Sequence, residues 1–155
     1  MDSNKILKIF ILVIVAATII IYAIQPNESD PKSKHYNLET GLEEAKKQNK
    51  LILIDVYTDW CKWCKKMDAD VYSNVEIAEY LKANFIFVKL NGEGNSKVNY
   101  NNRVVTEAVI AKQFGVDGFP TTIFLKSNGS LISLIPGYYP PDKFLIILKD
   151  IIKNN

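Results

Sequence analysis

Cysteine, histidine and arginine are almost missing from this 155-residue chain, which has two cysteines, one histidine and, in Arg103, one arginine. Two cysteines exclude a framework of several bridges linking distant segments, the device that staples small secreted domains. Cys61 and Cys64, even with His35, fall short of the four ligands of a structural zinc site, so no metal is expected. Basic and acidic residues number 19 and 17 and are interspersed, for a formal charge of +2 with no basic block. A surface that reads nucleic-acid phosphates is therefore not expected. Internal repeats and low-complexity tracts are also lacking, and the length leaves room for one globular domain plus a short appendage.

What the chain does have is one long apolar run. Between Ile9 and Ile24 only Thr18 is not apolar, and counted from Ile6 the stretch spans about 28 Å as a helix, close to the hydrocarbon thickness of a bilayer. Lys5 and Lys8 precede it, and the positive-inside bias then leaves the N-terminus in the cytoplasm and the rest outside. Residues 1–25 are thus expected to be a cytoplasmic stub and a single-pass membrane anchor. A cleaved signal peptide is the rival, in which case the domain is secreted or periplasmic, but Ile21-Tyr22-Ala23 makes a poor cleavage site. Residues 26–35, polar and with two prolines, read as a tether, and the folded domain is expected over 36–155.

Within that domain the pattern predicts a helix over Thr40 to Lys50 and a strand over Leu51 to Tyr57. The strand is an unbroken apolar run apart from Asp55, which implies cover on both faces. Helices follow over Lys62 to Tyr72 and Val75 to Ala83, with Ser73-Asn74 as break and N-cap, and then a second buried strand over Phe85 to Val88. Helices between strands imply parallel pairing. Asn91 to Asn102, rich in Gly and Asn, is expected to be a long exposed loop, and Val104 to Phe114 a helix ended by Gly115. Asn128-Gly129 predicts an antiparallel hairpin between Thr121 to Leu125 and Leu131 to Ile135. A last helix opens at Pro141-Asp142, with Phe144, Leu145, Leu148, Ile151 and Ile152 on one face. The sum is an α/β fold with a mixed central sheet sandwiched by helices.

Trp60-Cys61-Lys62-Trp63-Cys64-Lys65 follows the first strand and opens a helix. Residues i and i+3 in a first helical turn have Cα atoms about 5 to 6 Å apart, within the range a disulfide spans. The pair is thereby able to close and open with little backbone movement. Cys61 falls at the helix N-terminus, where free N–H groups, the dipole and the nearby Lys62 and Lys65 favour a thiolate. Cys61 is expected to be the nucleophile and Cys64, one turn on, the resolving thiol. An inert disulfide or half of a metal site is the alternative; so small a ring is a poor staple.

The segment LILIDVYTDWCKWCKKMDADVYSNVEIAEYLKANFIFVKLN, continued by FGVDGFPTTIFLKSNGSLISLIPGYYPPDKF, resembles thioredoxin-fold proteins. The resemblance is strongest to the thioredoxin-like branch that includes the C-terminal domain of the transmembrane thiol:disulfide interchange protein. It rests on Trp-Cys-x-x-Cys, a Gly-x-Pro-Thr loop and a following hairpin, in that order. It implies a cis peptide at Phe119-Pro120 facing the cysteines. It also implies a buried acid at Asp55 that assists deprotonation of the second cysteine, with Lys89 as its partner. A strand-end acid facing solvent and a surface lysine are the plain alternatives. Trp60 and Trp63, with Phe119, Pro120 and Tyr138, would form an apolar rim for a substrate polypeptide, unless these aromatics belong to the core. Lys62-Trp63 is neither of the dipeptides common in the family between the cysteines, which leaves the redox direction open.

The implied activity is an extracytoplasmic thiol:disulfide oxidoreductase, reducing disulfides of substrate proteins and itself recharged by a membrane electron-transfer partner. A disulfide oxidase or isomerase using the same residues, or a non-catalytic binding module, are the other readings. No cofactor is expected, and a monomer is. The chain ends without a retention signal, so an endoplasmic-reticulum isomerase is not expected.

Overall fold

The computed structural model describes residues 13–14 and 35–155. The chain divides into two compact units, residues 1–30 and 31–155, and the secondary structure from residue 35 onward belongs to the second. The expected anchor lies outside the described residues, apart from Val13 and Ile14, and the tether outside them apart from His35; among the described residues no helix is long and apolar enough to cross a membrane.

Helix α1 (Leu38–Gln48) begins two residues earlier than its pattern predicts, because the Asn37 side chain accepts from the Thr40 N–H and caps it there. It stops at Asn49, whose left-handed φ of 51° turns the chain before Lys50. Strand β1 (Leu51–Tyr57) then enters the middle of a four-stranded sheet of order β2-β1-β5-β6, formed with β2 (Phe85–Asn91), β5 (Thr121–Leu125) and β6 (Leu131–Pro136). Only β1 and β2 are parallel; β5 runs against β1, and β6 against β5. This is the mixed sheet expected, and it explains the apolar run of β1, a strand hydrogen-bonded along both edges and covered on both faces.

Side chains alternate between those faces. Ile52, Ile54 and Val56 enter one core with Leu38, Val88, Leu90, Ile110 and Ile123. Leu53 enters the other, built from Met67, Tyr72, Phe87, Phe124, Phe144 and Leu148, and Asp55 has the same parity as Leu53. The second core is covered by α2 (Lys62–Met67), a π-helical turn (Asp68–Tyr72), α3 (Val75–Asn84) and α5 (Pro141–Lys153). Where one continuous helix was expected over Lys62 to Tyr72, the last five residues widen into the π turn, closed by Ser73 N–H donating to the Asp68 carbonyl at 3.2 Å.

The Asn91 to Asn102 segment is not a long exposed loop. Residues 97–100 form β3 (Lys97–Tyr100), paired antiparallel with β4 (Arg103–Thr106) in a separate two-stranded sheet. Asn101 and Asn102 make its turn with φ of 53° and 59°, the pair of positive values that tight hairpins demand and that Asn tolerates. Val98 and Val105 pair across this hairpin and pack on the first core. The helix expected from Val104 accordingly starts later, as α4 (Glu107–Gln113), with the Thr106 hydroxyl capping the Val109 N–H. β2 also continues past Val88 to Asn91, which carries Lys89 into the ladder.

Candidate active site

The turn after β1 places the cysteines. Cys61 N–H donates to the Thr58 carbonyl at 3.2 Å, and Cys61 is the N-cap of α2. Cys61 and Cys64 are joined as a disulfide with Cα atoms 5.3 Å apart, and Cys64 N–H donates to Cys61 Sγ at 3.0 Å. An N–H aimed at the sulfur in this way favours a thiolate on Cys61 once the bond is opened. The two residues are 3% and 2% exposed, so exposure does not tell them apart; Cys61 stands at the N-cap and Cys64 inside the helix.

Trp60 and Trp63 are 65% and 55% exposed, on either side of the disulfide in sequence, and neither is a core residue. The Trp60 ring meets Phe119 edge to face at 6.1 Å, and its Nε1–H donates to Glu93 Oε2 at 2.8 Å. Phe119 has room because residue 92 is glycine: a Cβ there would stand 2.2 Å from Phe119 Cε1. Trp63 packs on Tyr138 at 5.4 Å, whose hydroxyl donates to Asp70 Oδ2 at 2.9 Å; Lys66 pairs with the same carboxylate and lies over the Tyr138 ring. The Phe119-Pro120 bond is cis, and Pro120 is buried.

A charged cluster lies on β1 and β2, a few residues before β1 gives way to the cysteine turn. The sheet register sets Asp55 between Lys89 of β2 and Thr122 of β5. Asp55 is 1% exposed, its Oδ2 is 3.1 Å from Lys89 Nζ, and its Oδ1 is buried without a hydrogen-bond partner. Burial pushes the Asp55 pKa up to about 6, since desolvation outweighs the opposing pull of Lys89. Lys89 is half-buried, and although burial works against its charge, the Asp55 and Asp68 carboxylates hold its pKa above the usual value. Its ammonium also pairs with Asp68 Oδ1 at 2.5 Å and sits 4.8 Å from the centre of the Tyr57 ring.

The structure thus pairs Cys61 with Cys64, Trp60 with Phe119, Trp63 with Tyr138 and Asp55 with Lys89. Asp68, Asp70, Tyr72 and Glu93 were missed. Asp68 and Tyr72 bound a π turn that no periodicity announces, and Asp70 and Glu93 read as ordinary surface acids. No cluster among the described residues is suited to hold a metal ion.

Comparison with known proteins bears on this arrangement. A family model described as a thioredoxin-like domain matches residues 38–152. The thiol:disulfide interchange protein DsbD of Yersinia pestis is 28% identical over 150 residues, covering 91% of this chain, which spans only 24% of that protein. The C-terminal domain of Neisseria meningitidis DsbD in its oxidised form superposes with a TM-score of 0.56 at 22% identity, covering 76% of this chain and 98% of that one. A structure titled DsbH oxidoreductase gives a TM-score of 0.66 at 18% identity, covering 85% and 94%. Both superpositions are likenesses of fold.

Proposed function

This chain belongs to the family of thioredoxin-like domains, and from that premise we propose that it is an extracytoplasmic thiol:disulfide oxidoreductase that reduces disulfides in other proteins. The observation that carries the reading is the Cys61–Cys64 disulfide at the head of α2, flanked by two exposed tryptophans. The Cys61 thiolate attacks one sulfur of a substrate disulfide, forming a mixed disulfide and releasing one substrate thiolate. Cys64 then gives its proton to Asp55, and its thiolate attacks Cys61 Sγ. This closes the Cys61–Cys64 bond and releases the second substrate thiolate. Two electrons pass to the substrate, and a membrane electron carrier returns two to the chain.

Asp55 suits the acceptor role because a pKa near 6 leaves it ionised at neutral pH yet close enough in affinity to take a proton. Lys89 steadies the charge. Trp60, Trp63, Phe119 and Pro120 bind the substrate backbone beside the attacked sulfur, a role supported by the exposure of the two tryptophans. Residues 1–25 anchor the chain, 26–35 tether it, and the domain from 36 onward works outside the membrane as a monomer. The resemblance to an interchange protein favours reduction over oxidation.

Cysteine substitution tests the roles. Cys64→Ser is expected to accumulate mixed disulfides with client proteins, seen as dithiothreitol-sensitive bands on non-reducing gels, whereas Cys61→Ser accumulates none. The opposite pattern reverses the assignment. The equilibrium potential of the couple tests direction: a value near thioredoxin's ~−270 mV supports the reductase, and one near ~−120 mV an oxidase.

A further inference from the structure

Tyr72 closes the π turn and is buried, with its ring seated against Phe87 at 4.8 Å and Phe144 at 5.8 Å. A phenyl ring would fill that seat equally well. The hydroxyl is therefore the part that needs an explanation, since it is buried without a hydrogen bond of ordinary geometry, yet lies near enough to the Asp55 and Thr122 side chains to interact with both. Asp55 Oδ1 shares this condition, and so does a third atom, Thr58 Oγ1 of the cysteine turn. A phenol is a donor and a carboxylate an acceptor, so the two orphaned groups are complementary. Burial, and after it the Asp55 charge, raises the Tyr72 pKa well above its usual value, which keeps the hydroxyl protonated and able to donate.

We propose that Tyr72 is a positioning residue of the proton-transfer site, its hydroxyl donating to Oδ1 of the ionised Asp55 carboxylate while Lys89 holds Oδ2. The proposal rests on Asp55 being the proton acceptor for Cys64. Each of the elements packed around the acid contributes a group: Lys89 from β2, Asp68 and Tyr72 from the π turn and Thr122 from β5, with Tyr57 of β1 against the far side of Lys89. Asp68 opposes ionisation of Asp55, and Lys89 is shared between the two acids. A second donor on Asp55 offsets that dilution. In the reaction the Cys64 proton passes to Asp55, the electron pair left on Cys64 forms the new S–S bond, and Tyr72 keeps its own proton throughout. The π turn gives this pairing its geometry: its first residue, Asp68, reaches Lys89, and its last, Tyr72, enters the second core with its hydroxyl in reach of the acid.

The test is Tyr72→Phe in the full chain, which keeps the ring and removes only the donor. In the reduced protein, the carboxyl 13C resonance of Asp55 is expected to titrate with its midpoint raised by on the order of one pH unit, the worth of one hydrogen bond to a charged group. The acid limb of the rate of the Cys64 step moves up with it, while attack by Cys61 keeps its rate. In the Asp55→Asn background, Tyr72→Phe has no further effect on the Cys64 step. An unmoved Asp55 midpoint, or an equal loss of rate in both backgrounds, overturns the proposal. In the unsubstituted protein the 13Cζ resonance of Tyr72 should follow the Asp55 titration; a flat signal there overturns it independently of how the variant folds. Should Asp55→Asn alone leave the Cys64 step unchanged, the functional reading of Asp55 fails, which is a separate result.

Discussion

Asp55 is the residue at which stability and chemistry pull apart. Its pKa rises from 3.8 to about 6 on folding, so the folded domain holds this proton more tightly than the unfolded chain does. Below about pH 4 the group is neutral in both states and contributes no difference. As pH climbs from there to about 6, the unfolded chain ionises freely and the fold does not, so stability falls, and above 6 the whole deficit is present. A shift of about two units corresponds to roughly 3 kcal/mol, an upper figure for the release obtained by removing the charge. Asp55→Asn is expected to raise stability at pH 8 by up to about that much, less whatever is lost with the Lys89 contact, and to change little at pH 4. Chemical denaturation at the two pH values measures it, and an equal gap at both counts against a buried carboxylate. The same substitution should slow the Cys64 step roughly ten- to a hundredfold, the outcome expected if a destabilising acid is the proton acceptor proposed for the reaction.

At the scale of elements, the seat of α1 on the sheet depends on a residue with no side chain. A Cβ on Gly41 would stand 2.4 Å from Val88 Cγ2 of β2, a buried methyl with Ile86 and Tyr36 around it. Gly41→Ala should therefore destabilise the domain by about 1 to 3 kcal/mol, more than the ~1 kcal/mol an alanine gains over glycine inside a helix. A denaturation midpoint that stays or rises would show that α1 shifts freely. Elements of this kind were legible to different depths. β1, β5 and β6 announce themselves, since an unbroken apolar run or an Asn-Gly turn has one physical reading. The β3–β4 hairpin did not: Asn101-Asn102 serves as a two-residue turn, but it lies in a polar stretch whose inward side chains, Val98 and Tyr100 on one strand and Val105 on the other, are too few to reveal a strand period. The disulfide layer of the site was legible from spacing and the Asp55–Lys89 layer from resemblance. Tyr72 was not, because a π turn leaves no mark in the sequence and an aromatic in a helix reads as core.

For the molecule as a whole, the count of thiols sets a limit. The chain has two cysteines, and once they are joined no thiol remains to reduce them, so each chain holds reducing power for one substrate disulfide. Turnover then depends on an outside dithiol reaching the Cys61–Cys64 bond. The proposed anchor would confine that encounter to the membrane plane, where a tethered partner meets the domain at an effective concentration set by the tether rather than by bulk diffusion. Both cores and the whole sheet lie within residues 36–153, so a chain lacking residues 1–34 should fold with the same Cys61–Cys64 potential and the same single-turnover rate. In membranes that contain the electron carrier, its multiple-turnover rate should fall by roughly 10²- to 10⁴-fold relative to the full chain at equal amounts. Stopped-flow Trp fluorescence, with Trp60 and Trp63 beside the disulfide, follows the single turnover, and client thiol release on right-side-out vesicles follows the steady state. Equal steady-state rates for the two forms would mean that recharging does not use the anchor, and that the donor is a soluble dithiol.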